Sequence, residues 1–253
     1  MLRRMSEPMI VAHRGANVDL PEQSLAAYVK AIQLGADAIE CDVRLTRDGH
    51  LVCHHDRTIN RTSNGTGAIS DLTLAELQKL NFAGKHHDGA EQHQIVTFRQ
   101  VLELVDEAPR PVRILVETKH PSRYGAKVER EVHKALAGFP DVQVTVMSFA
   151  RAAVSRYRAL DDAMPLVWLY EYPLGTVPDA ARIIGPRLKY VKSKPGLVER
   201  ARDAGLDVFV WTVNTPEDVE FVAKTGAAAI ITDDPAMALA TLGRPVNTER
   251  DLG

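Results

Sequence analysis

A TIM-type (β/α)8 barrel, α/β in class and with a small insertion after the second strand, is the fold this chain predicts. Short apolar runs begin at Met9, Ala38, Arg113, Val142, Leu166, Leu188, Val208 and Ala229, and helical periodicity follows each once residues 57–98 are set aside. The chain has 253 residues, a length such a barrel commonly takes without dividing. An open doubly wound sheet usually has fewer strands than this, so closure is expected, with a single barrel domain over 1–253 and an insertion at 57–98.

The first strand is the apolar run 9–12, after which Leu25, Tyr28 and Ile32 recur at helical spacing over 24–34. Ser24 is placed to cap that helix, and Gly35 to end it. A strand at 38–45 precedes an Asp48-Gly49 turn and an extended return at 51–53, so the second unit carries a small hairpin. Regularity then weakens. Residues 61–67 are rich in turn formers, 73–80 read as a short helix, and 81–94 form a polar excursion holding His86, His87 and His93.

Alternation resumes with helix 98–106, strand 113–117, helix 126–137, strand 142–147 and helix 150–159. It continues through strand 166–169, helix 178–184, strand 188–191, helix 197–204, strand 208–210, helix 217–223, strand 229–231 and helix 235–239. No residue period or recurring motif accompanies the alternation, so it reflects architecture rather than internal repeats.

Hydrophobic residues make up 45% and charged residues 25%, which places the chain among ordinary globular proteins. A formal net charge of -2 leaves no global field to hold a polyanion, and nucleic acid is not an expected partner. Arg3 and Arg4 are followed by an apolar run that His13 and Arg14 cut short. We therefore expect no secretion signal, no transmembrane segment and a cytoplasmic location. Cys41 and Cys53 lie in apolar runs and read as buried small hydrophobes rather than a disulfide framework. A homo-oligomer is compatible with the sequence.

In a barrel, chemistry sits at the C-terminal ends of the strands. His13, Glu40, Asp42, His55, Glu117 and Lys119 all fall there. Glu40 and Asp42 are two apart in a strand, as are Glu117 and Lys119, so each pair shares a face. Three carboxylates then converge with one ammonium. Crowded carboxylates stay ionised in a partly dry site only if a cation offsets them, and a hard divalent ion, Mg2+ or Ca2+, is the fitting one. Any E-x-D pair alone more often makes salt bridges; the coincidence of several strand ends carries the reading.

His13 can exchange a proton near neutral pH, Arg14 can grip a phosphate through its planar fork, and Gly15 lets backbone approach a ligand. His54 and His55 would point oppositely in an extended segment, so one of them faces the site, and Asp56 can fix a tautomer or add to the charge field. Two such imidazoles could divide deprotonation and protonation across a phosphodiester, while metal, Arg14 and Lys119 stabilise its nonbridging oxygens. Trp211 and Phe149 are candidate pocket walls, though aromatic residues are more often core. His86, His87 and His93 lack zinc spacing and read as solvated loop. The segment 64–67 lacks the lysine of a phosphate-binding loop.

His13-Arg14-Gly15, Pro21-Glu22-Gln23-Ser24, Glu40-Cys41-Asp42-Val43, His55-Asp56, the stretch 61–80, Glu117-Thr118-Lys119 and Thr232-Asp233-Asp234-Pro235 together resemble the glycerophosphodiester phosphodiesterase family, in order and over nearly the whole chain. The resemblance implies Glu40, Asp42 and Glu117 as ligands of one divalent metal, and His13 and His55, rather than His54, as the general acid/base pair. It implies phosphate contacts from Arg14 and Lys119 and a supporting place for Glu22. Gln23-Ser24 departs from the Asn-Thr common in the family, which bears on a supporting bond or a headgroup contact. The implied reaction is hydrolysis of a small-molecule glycerophosphodiester to an alcohol and glycerol 3-phosphate. Two alternatives stand beside it: lysophospholipase D-like cleavage of a lysolipid, and an inactive barrel that only binds a phosphate ligand.

Overall fold

A computed structural model of the chain describes residues 7–84, 92–173 and 175–247. Strands β1 (Met9–Ala12), β2 (Ala38–Leu45), β4 (Arg113–Thr118), β5 (Val144–Ser148), β6 (Leu166–Tyr170), β7 (Ile183–Pro186), β8 (Asp207–Val210) and β9 (Ala229–Thr232) pair in parallel, and β1 bonds to both β2 and β9. The sheet therefore closes into an eight-stranded barrel. β3 (Leu51–Cys53) is the exception, lying antiparallel beside β2 as the return of the hairpin.

Helices cover the outside. They are α1 (Leu25–Leu34), α3 (Phe98–Asp106), α4 (Lys127–Leu136), α5 (Arg151–Leu160), α6 (Leu188–Ser193), α7 (Leu197–Asp203), α8 (Pro216–Thr225) and α9 (Pro235–Thr241), with the short α2 (Leu74–Leu77) between α1 and α3 in the chain. Local chemistry sets their ends. Ser24 accepts from the Ala27 amide at the start of α1, Gly35 closes it at φ 100°, and Thr215 with Pro216 opens α8.

Strand alternation sorts the core into two parts. Outward residues such as Ile39, Cys41, Ile114 and Val116 pack beneath the helices, while Val11, Ala38, Leu115, Met147, Phe209 and Ile231 fill the barrel. Continuing the inward series by twos leads from Val11 to His13, from Ala38 to Glu40 and Asp42, from Leu115 to Glu117 and Lys119, and from Ile231 to Asp233. The inward face of these four strands thus changes from apolar to ionisable as it nears the carboxyl rim.

Over 57–98 the chain builds a satellite core. Val52, Ile59, Ile69, Leu77, Phe82 and Ile95 cluster there, and a Thr73/Glu76 capping box starts α2. The predicted helix 73–80 is realised only at Leu74–Leu77. His86 and His87 lie outside the described residues; His93 is half-buried, with its carbonyl accepting from the Phe82 amide.

Two expectations fail in one stretch. The helix expected at 178–184 is absent, and the strand expected at 188–191 is helix α6; the sixth barrel strand is instead β7, Ile183–Pro186. Gly185-Pro186 resembles a turn signal, yet a Cβ on Gly185 would meet Leu169 Cδ2 at 2.4 Å. Glycine there accommodates a core leucine from the adjacent strand, and Pro186 stands at the strand's end.

Candidate active site

Asp42 and Glu117 are register partners across β2 and β4, which sets their carboxylates side by side. Lys119 Nζ lies 2.8 Å from Asp42 Oδ1 and 2.8 Å from Glu117 Oε1. Glu40 Oε2 accepts from the Arg14 amide at 3.0 Å. One oxygen from each of Glu40, Asp42 and Glu117 lies within 4.8 Å of the others, and all three side chains are buried.

This donor set fits a hard divalent cation. Burial, and the neighbouring charges of Asp42 and Glu117, push the Glu40 carboxyl well above its ordinary range. Glu117 is pushed up to about 7 by burial, against the pull of Lys119. Burial would likewise raise Asp42, but the charges of Lys119 and Arg14 hold it below the usual carboxylate range. Its Oδ1 is buried without a well-formed hydrogen bond despite the nearby ammonium. One lysine does not neutralise three carboxylates; a divalent ion would complete the charge balance.

Each imidazole of the expected pair rests on its own carboxylate. His13 Nδ1 is 2.7 Å from Asp233 Oδ1, and His55 Nδ1 is 2.7 Å from Asp56 Oδ1. Because an ionised carboxylate only accepts, Nδ1 carries the proton in both rings and Nε2 remains for chemistry. Arg44 donates twice to the His55 carbonyl, at 3.0 and 2.7 Å, steadying that loop. Burial depresses the His55 pKa, with Asp42 opposing and Lys119 and Arg14 reinforcing the shift.

His54 turns the other way. Its Nδ1 donates to the Asp56 carbonyl at 2.8 Å, its Nε2 accepts from Thr62 Oγ1 at 2.7 Å, and burial lowers its pKa to about 4. It serves the insertion's packing rather than the rim.

Arg14, at φ 58°, is gripped by Glu22 at 3.1 Å and approaches Asp42 Oδ2 at 3.2 Å. Gly15 follows at φ 85°, where a Cβ would strike Ala27 at 2.7 Å. Glu22 stands outside the carboxylate cluster and is held below its ordinary pKa: burial opposes, but Arg61 and Arg14 prevail. Trp211 donates Nε1–H to the Gly185 carbonyl at 2.7 Å and packs edge-on against Phe149. Both rings, with His13, Arg14, His55 and Lys119, line a small cavity of about 60 Å³.

The sequence reading gave no role to Asp233 or Arg61. Asp233 was visible as an acidic residue just past the last strand, which closure brings beside the first. Arg61 binds Glu22 at 2.7 and 2.8 Å and Asp56 at 2.7 Å, answering two acids whose counterion the sequence left unnamed. Gln23, noted only as a departure from the family pattern, donates to Asp42 Oδ2 at 2.6 Å and accepts from the Tyr28 hydroxyl.

A barrel rim that gathers acidic groups for a cation beside paired imidazoles defines a metal-assisted hydrolase of phosphoric esters. The sequence model described as "Glycerophosphoryl diester phosphodiesterase family" matches residues 13–237. The chain belongs to that family and is an enzyme. It is 42% identical, over 96% of both chains, to a Mycobacterium tuberculosis protein named "Probable glycerophosphodiester phosphodiesterase 1". It is 34% identical to the glycerophosphodiester phosphodiesterase of Caldanaerobacter subterraneus subsp. tengcongensis, covering 90% of this chain and 94% of that one. In fold it resembles an Oleispira antarctica phosphodiesterase solved with its product sn-glycerol-3-phosphate, with TM-score 0.85, 23% identity and coverage of 94% and 97%.

Proposed function

We propose that this rim hydrolyses a glycerophosphodiester to an alcohol and glycerol 3-phosphate, using one divalent metal, Mg2+ or Ca2+, held by Glu40, Asp42 and Glu117. The observation that carries the reading is the convergence of these three buried carboxylates on one cation-sized space. Such a cation polarises the phosphoryl oxygens and offsets their developing charge.

His13 and His55 are the proton carriers. One takes the proton of the attacking oxygen, the other donates one to the departing alkoxide, and the bond from phosphorus to the alcohol oxygen breaks. Asp233 and Asp56 keep each ring in the tautomer with Nε2 free. Arg14 and Lys119 supply positive charge to the nonbridging oxygens, and Trp211 with Phe149 walls the glycerol side. Glu22 and Arg61 hold Arg14 and Asp56 in place.

The relatives' names and the product bound by the Oleispira antarctica enzyme support this substrate class. Among the described residues no helix is long and apolar enough to cross a membrane, and two buried unbridged thiols support a cytoplasmic setting.

The test is release of glycerol 3-phosphate from glycerophosphocholine and glycerophosphoglycerol with Mg2+ or Ca2+ present. Release should stop on chelation and in His13→Ala. Strong preference for lysophosphatidylcholine would favour the lysolipid reading, and binding without turnover under either metal would favour an inactive barrel.

A further inference from the structure

Beside the rim lies a second cavity, of about 530 Å³, whose lining includes Arg44, Arg57, Asp71, Lys119, Arg123 and Tyr124. Two features tie it to the reaction site. Lys119 lines both cavities, and Arg44 carries the His55 carbonyl on two donors. A group leaving the phosphorus toward the His55 side therefore has a room to enter.

The charge of that room is uneven. Its described lining has four basic side chains against one acidic, Asp71. Lys119 lies between Asp42 and Glu117 at the reaction site, and Arg123 pairs with Asp71. Arg44 bonds the neutral His55 carbonyl and feels the charges of Asp42, Glu117 and Asp56 without an ion pair to any of them among the described residues. Arg57 is exposed and has no side-chain hydrogen bond or ion pair among the described residues. Arg57 thus faces the cavity with no acidic partner among the described residues, and Arg44 adds a second guanidinium to the same wall.

Size and charge point to the same occupant. Choline or ethanolamine is much smaller than this cavity and carries the sign that its arginines repel. A phosphorylated polyol matches on both counts, since guanidinium forks grip phosphate in two-point geometry and the volume is that of an ordinary small-molecule site.

We infer that this cavity is the leaving-alcohol pocket and that Arg57, with Arg44, selects anionic polyol headgroups over cationic ones. The inference rests on the proposed hydrolysis and assigns it a substrate class.

The test compares kcat/KM for glycerophosphoinositol 4-phosphate, glycerophosphoinositol and glycerophosphocholine in the wild-type enzyme and in Arg57→Glu, at low ionic strength. The wild type should prefer them in that order. Arg57→Glu should lower the ratio of the first to the last by about fivefold or more, as a reversed surface charge next to a bound phosphate would. Equal or better use of the choline ester by the wild type, or an unmoved ratio in the variant, overturns the inference. Calorimetric binding of inositol 4-phosphate, the alcohol released from the first of these substrates, separates this from the hydrolase reading. Binding that weakens in Arg57→Glu, with none of the diesters cleaved, supports the pocket and sinks the hydrolysis; no binding of inositol 4-phosphate by the wild type sinks the pocket.

Discussion

Nδ1 of His13 lies 2.7 Å from Oδ1 of Asp233, across 220 positions of sequence. Burial would raise the Asp233 carboxyl, but hydrogen bonds from His13, Asn17 and Asn214 hold its pKa down to about 2. A permanent carboxylate therefore backs the ring throughout the neutral range. The contact exists because the barrel closes: the His13 amide donates to the Thr232 carbonyl at 2.8 Å, aligning the tips of β1 and β9.

Replacing that carboxylate should damage turnover more than binding. For Asp233→Ala we expect kcat to fall by about 10²-fold with little change in KM, because the imidazole loses its tautomer and orientation. Asp233→Asn keeps an acceptor and should lose less. Steady-state kinetics on glycerophosphoglycerol provides the check, and a variant that alters KM alone would remove Asp233 from the proton-transfer machinery.

His54 should report on stability instead. Its folded pKa of about 4 lies below the ordinary 6.5. On acidification the unfolded chain binds the proton first. The contribution is therefore complete above pH 6.5 and is lost as pH falls through 4, amounting to at most about 3 kcal/mol. Urea midpoints followed between these limits should fall more steeply in the wild type than in His54→Asn; parallel curves would contradict the assignment.

Metal binding should release protons. Burial puts the Glu117 pKa at about 7 in the metal-free protein, so below that pH an incoming cation must displace a proton. Apparent affinity for Mg2+ or Ca2+ should rise with pH through about 7, where Glu117 gives up its proton, and Glu40, raised still further from its ordinary range, extends the rise. Calorimetric titration in buffers of differing ionisation enthalpy measures the release directly. Glu117→Gln should both weaken the affinity and reduce its pH dependence.

Gln23 joins the Tyr28 hydroxyl to the Asp42 carboxylate inside the core. Gln23→Ala would leave both buried groups short of a partner, at a cost of about 1–3 kcal/mol for each one that finds no water. A drop in the thermal midpoint, together with weaker metal binding, is the expected pair of results. Loss of stability with metal affinity intact would show that Asp42 keeps its orientation without this support.

Much of the site was legible because it follows a period of two. Glu40 and Asp42, or Glu117 and Lys119, share a face for reasons any strand obeys, and the apolar residues below them identify the inward face. The partnership of His13 with Asp233 was not legible, since it depends on which strands meet at the seam. His54 and His55 could not be separated locally: the strand ends at Cys53, and bonds to Asp56 and Thr62 decide which ring turns inward. The sixth strand was misplaced because Gly185-Pro186 carries a turn signature while Leu188, Tyr190 and Val191 mimic a strand. Only the neighbouring Leu169 reveals why glycine belongs in the sheet.

The seam between β1 and β9 also has a temporal meaning. During synthesis the acidic cluster is encoded by residue 117, yet the carboxylate that orients His13 emerges from the ribosome only after Thr232. A nascent or proteolytically shortened chain lacking β9 would carry the three clustered carboxylates without a correctly held first imidazole, so the orientation of His13 arrives only with β9.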